Sequence, residues 1–127
     1  MTRRTDTIWA LVVGEHAAET QPLLERLADD GVAAFPVPGP RSVLGALSAV
    51  APDVLVVSLS RSDTIRYEFI EQLRSDPLVG RVVTLIVAPV DEAEPLLHAG
   101  YDAVISDGDD LAAQVRAVVA THTARAA

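Results

Sequence analysis

The stretch Ala51-Pro52-Asp53-Val54-Leu55-Val56-Val57-Ser58-Leu59 decides the fold of this chain. From Val54 to Leu59 it is nearly all apolar, and it is too short for a buried helix. A Pro-Asp pair precedes it and the polar run Ser60-Arg61-Ser62-Asp63 follows. A strand with one wet face alternates apolar and polar residues. A near-continuous apolar run of this length therefore marks a strand covered on both faces. Four further runs share the pattern: Ile8–Val13, Ala33–Val37, Val82–Val87 and Ala103–Ile105.

Helical spacing fills the intervals. Ala17–Asp29 carries Leu23, Leu24 and Leu27, and Ser42–Val50 carries Val43, Leu44, Leu47 and Val50. Arg66–Arg74 carries Phe69, Ile70 and Leu73, and Leu111–Ala120 carries Leu111, Val115, Val118 and Val119. Each is one apolar stripe with a polar back. Gly31 falls where a glycine closes a helix, and Asp109 or Asp110 can cap the last one. Strand and helix alternate five times. Right-handed crossovers then require a parallel sheet with helices on both faces. One domain is expected over residues 1–127, with a core at 8–120 and a small, polar, Ala-rich tail at 121–127.

Composition narrows the function. The formal net charge is −8, and the ten basic residues are all Arg and scattered. Phosphate backbones need clustered cations, so nucleic acid is not an expected partner. Absence of Cys removes disulfides, thiolate metal sites and a Cys nucleophile. Absence of Lys removes all lysine chemistry. No apolar run is long enough for a signal peptide core or a membrane span, so a cytoplasmic location is expected.

In a doubly wound sheet, ligands bind beyond the carboxyl ends of the strands. Those loops offer Gly14-Glu15-His16, then Ser58 with Ser60, Arg61, Ser62 and Asp63, then Ala88-Pro89, and last Ser106-Asp107-Gly108-Asp109-Asp110. With these residues in place, the chain resembles a response-regulator receiver domain from about Ile8 to Ala120. The resemblance rests on Ala10-Leu11-Val12-Val13 with its acidic turn, Gly31, Ala51-Pro52-Asp53 before strand three, Leu73-Arg74-Ser75-Asp76-Pro77 and His98-Ala99-Gly100-Tyr101-Asp102. No single motif is diagnostic; their order and spacing together carry the likeness. The resemblance implies a flavodoxin-like (βα)5 sandwich with a five-stranded parallel sheet in the order 2-1-3-4-5.

The departures from that pattern carry the functional reading. The family places two acids after strand one; here they are Gly14 and Glu15. It places the phosphate-accepting Asp at the end of strand three; here that position is Ser58. A hydroxyl residue closing strand four is replaced by Ala88, and the Lys after strand five by Asp107, or by Ser106 if the register slips by one. Without an Asp at position 58 no acyl phosphate forms. One carboxylate at Glu15 makes a weak magnesium site. An anion at Asp107 repels a phosphoryl group that the family's Lys would neutralise.

Sharper chemistries rank low. Ser58, His16 and Asp107 suggest a hydrolase triad, but no Gly-x-Ser-x-Gly elbow surrounds Ser58. No glycine-rich phosphate loop follows strand one. No cofactor is expected, and no metal beyond the weak candidate Glu15. Leu59 and Ile65, read as partly exposed beyond strand three, are candidate partner contacts. The stretch from Ala88 to Gly100 is short for the family, leaving two turns at Asp91–His98 that Pro95 should kink or shorten. The resulting expectation is a non-enzymatic, receiver-like signalling domain that works through phosphorylation-independent contact with a protein partner, a second copy included. The alternatives are an atypical receiver that binds a small ligand and, last, a Ser-based hydrolase.

Overall fold

A computed structural model describes residues 7–59, 63–77, 82–106, 108 and 110–126. Five parallel strands, β1 (Ile8–Gly14), β2 (Val32–Val37), β3 (Val54–Ser58), β4 (Val83–Val87) and β5 (Ala103–Ile105), form one sheet. Their order is β2-β1-β3-β4-β5, as the resemblance implies. The helices are α1 (Ala17–Asp29), α2 (Val43–Ala49), α3 (Asp63–Ser75), α4 (Ala93–Ala99) and α5 (Leu111–Ala126). Single 3-10 turns at Pro40–Ser42 and Val90–Glu92 lead into α2 and α4.

The continuous apolar runs are explained by a core on each side of the sheet. On β1, Ala10 and Val12 face Leu23, Leu27, Leu111 and Val115 of α1 and α5. Leu11 and Val13 face the opposite way, toward Val43, Phe69, Ile70, Leu73 and Leu96 of α2, α3 and α4. The strand still alternates, but both sides are dry, so alternation is invisible in hydropathy.

Several expected boundaries move. Strand three ends at Ser58, and Leu59 turns into the core at 8% exposure instead of standing out as a partner contact. Its side chain packs with the α2–α4 cluster, because the chain must bend back over the sheet to start α3. The expected tail is helical, since α5 continues to Ala126. Helix α4 is one short segment, and Pro95 is its third residue. First-turn N–H groups have no intrahelical acceptor, so a proline there costs no helical bond. Gly31, at φ +84°, ends α1 as expected, and Gly100, at φ +130°, ends α4.

Polar clasps tie the second layer to the sheet. Arg74 at the end of α3 donates to the carbonyls of Val82 and Gly100 and to the Asp102 carboxylate at 2.8 Å. Asp102 also accepts the Thr84 N–H at 2.7 Å. Near the start of α3, buried Arg66 pairs with Glu92 at 2.8 Å, and its own carbonyl accepts the Tyr101 hydroxyl at 2.8 Å.

Candidate functional site

The expected site residues converge at the carboxyl edge of the sheet. Gly14 and Ser58 are register partners, the last residues of β1 and β3. Ala88 follows β4 and is buried, with its N–H donating to the Ile105 carbonyl at 3.0 Å. Glu15 is exposed in the turn between β1 and α1. Asp107 lies outside the described residues. Its neighbour Ser106 is exposed, and both its backbone groups are held by the Gln114 side chain at 2.9 and 3.0 Å. The same Gln114 amide donates to the Asp110 carboxylate at the start of α5, so the β5–α5 turn is pinned from within.

A residue that sequence reading passed over sets the chemistry at Gly14. A Cβ built on Gly14 would run into the Thr20 hydroxyl. Thr20 comes from the first turns of α1, is 5% exposed, and donates its hydroxyl to the His16 carbonyl at 3.0 Å. The space that would hold an acidic side chain on β1 is therefore already occupied by a hydrogen-bonded side chain. The signal was present as a Thr four residues after a helix N-cap, but only the fold shows that it leans over Gly14.

Ser58 is half-buried and makes no hydrogen bond to His16, whose side chain is exposed. Among the described residues, then, His16 is not placed as a base for Ser58. Among the described residues no group of three or more His, Asp or Glu side chains gathers at metal-binding distance. Among them too, no helix is long and apolar enough to cross a membrane.

Of the two partner-contact candidates, Ile65 is half-buried on α3 and Leu59 is in the core. Among the described residues, the large apolar side chains that do face solvent are Val90, Leu97, Phe35 and Leu44. Val90, in the turn before α4, is 81% exposed. Beside the edge lies a cavity of about 510 Å³ between the β2–α2 turn and α3, bordered by Glu15, Gly39, Arg41, Ile65, Glu68 and Phe69.

The fold is similar to a putative response regulator from Chloroflexus aurantiacus, with a TM-score of 0.76 and 16% identity, covering 91% of this chain and 99% of that one. It is also similar to the receiver domain of the Francisella response regulator 1452, with a TM-score of 0.75 and 14% identity over 91% and 98% of the two chains. A signal receiver domain of a histidine kinase from Syntrophus aciditrophicus matches with a TM-score of 0.73 and 18% identity over 90% and 91%. No family model matches the sequence, and no curated protein matches it. The chain has the receiver fold, and the likeness lies in fold, not in sequence.

Proposed function

We propose that this chain is a receiver-like signalling domain that acts without being phosphorylated, through contact with a protein partner. One observation carries the proposal: Gly14 and Ser58 stand side by side where an acid and an acceptor Asp are needed, with Thr20 filling the space above Gly14. The buried methyl of Ala88 adds no hydroxyl to the edge. Phosphoryl transfer requires a competent acceptor and concentrated positive charge, often a metal, around the transferring group. The acceptor is missing and Glu15 alone is a poor metal ligand set. A signal carried by this fold then has to enter and leave by its surfaces. The exposed apolar side chains Val90 and Leu97, on the approach to α4 and on α4 itself, are the contacts this reading puts first.

The test is incubation of the chain with acetyl phosphate and Mg²⁺, followed by intact mass. An unmodified mass is expected; a stable phosphoryl adduct at any residue contradicts the proposal. A second reading, control by a small ligand, draws on the cavity that borders the edge through Glu15.

A further inference from the structure

The cavity between the β2–α2 turn and α3 holds both signs of charge over an apolar floor. Its floor is Ile65 and Phe69, on one face of α3. Arg41, from the turn before α2, and Glu68, from α3, border it together. Both are exposed, and neither side chain makes a hydrogen bond or ion pair with any described residue. Gln72, one turn further along α3, also lines it and makes no side-chain hydrogen bond with any described residue. A second cavity of about 190 Å³ shares Arg41, Phe69 and Gln72 and continues between α2 and α3 to Leu44 and Leu73. Most of Phe69 is packed into the core at 6% exposure and Ile65 is half-buried, so the groove meets only the outer edge of this stripe of α3.

A volume of about 510 Å³ is that of a small-molecule site. The lining selects the chemistry. Its exposed rim carries one guanidinium, Arg41, and two carboxylates, Glu68 and Glu15, so a ligand with one charge of each sign meets both kinds of group. A zwitterion with an apolar body satisfies both and lies against half-buried Ile65 and the exposed edge of Phe69. We infer that this groove binds a small amphipathic zwitterion, of the class of an apolar amino acid or a short apolar peptide with free termini. Its ammonium pairs with Glu68, its carboxylate with Arg41, and its side chains lie on Phe69. The inference rests on the ligand-controlled reading above and is independent of whether Ser58 accepts phosphate.

The probe is leucyl-phenylalanine with free termini, titrated into the ¹⁵N-labelled full chain and followed by NMR. Two analogues, one N-acetylated and one C-terminally amidated, each remove one charge. Saturable shifts at Gly39, Arg41, Phe69 and Gln72 are expected, and each blocked analogue should bind about tenfold more weakly. Arg41→Gln should erase the preference for the free carboxylate alone, and Glu68→Gln the preference for the free ammonium alone. Both positions are exposed, so the variants keep the fold. No saturable shift up to about 10 mM probe, or binding indifferent to the blocking groups and to both variants, overturns the inference. The phosphoryl result above is unaffected either way.

Discussion

The hydroxyl of Thr20 stands where a side chain on Gly14 would begin, while it donates to the His16 carbonyl at 3.0 Å. Restoring an acid at the end of β1 is therefore not a simple exchange. Gly14→Asp must push aside a buried, hydrogen-bonded group. Overpacking of this kind costs about 1–3 kcal/mol, read as a lower urea midpoint. Adding Thr20→Ala should recover part of that loss. A Gly14→Asp variant as stable as the parent would show that the two residues do not compete for space.

Asp102 is the knot of the clasp beneath β4 and β5. One of its oxygens accepts from both Arg74 and the Thr84 N–H, and the other lies 3.4 Å from His122 of α5. Asp102→Ala leaves a charged donor and a backbone donor without this acceptor. A loss of about 2–3 kcal/mol is expected by denaturant unfolding. Asp102→Asn, which keeps one acceptor oxygen, should lose less; equal losses would show that geometry at this site does not matter.

Tyr101 supplies a pH signature. Burial pushes its phenol well above the ordinary tyrosine range, against the lowering effect of Arg66 and Arg74. The folded chain thus holds this proton more tightly than the unfolded chain does. The stabilisation is fully present below the unfolded value of about 10 and is lost as pH rises past it. Urea midpoints measured from about pH 9 to 11 should fall more steeply for the parent than for Tyr101→Phe. Parallel curves would mean that Tyr101 is not the group responsible. At neutral pH the variant should cost only about 0.5–1.5 kcal/mol, for the lost bond to the Arg66 carbonyl.

Leu59, expected at the surface, lies in the core, whereas Val90 stands out into solvent. Leu59→Ala empties a core site and should cost about 2–4 kcal/mol. Val90→Asp, at 81% exposure, should change stability by no more than about 0.5 kcal/mol while weakening capture of a signalling partner. Thermal unfolding of the two variants separates them. A stable Leu59→Ala protein would return Leu59 to the surface.

The architecture was legible because both faces of the sheet are apolar. The runs at Ile8, Val54 and Val82, with helical stripes between them, leave few other topologies. The edge was legible in part: Gly14, Glu15, Ser58 and Ala88 do meet there. Thr20 escaped notice because its role is a close approach across a turn, which no periodicity encodes. Arg66 escaped for the opposite reason. Pattern reading places an Arg on the wet side of a helix, yet Glu92 and the surrounding packing hold this one inside. Residues 121–126 read as a tail because they lack an apolar stripe. They are helical because α5 simply continues past Val119, with His122 reaching Asp102.

The proposed function requires that the Gly14–Ser58 edge does not hold a phosphoryl group. Its most direct test is an NMR titration of the ¹⁵N-labelled chain with Mg²⁺ and beryllofluoride, a phosphoryl mimic. The amide signals of Gly14, Glu15, Ser58 and Ala88 are expected to stay where they are. Saturable, Mg²⁺-dependent shifts at those four residues would contradict it.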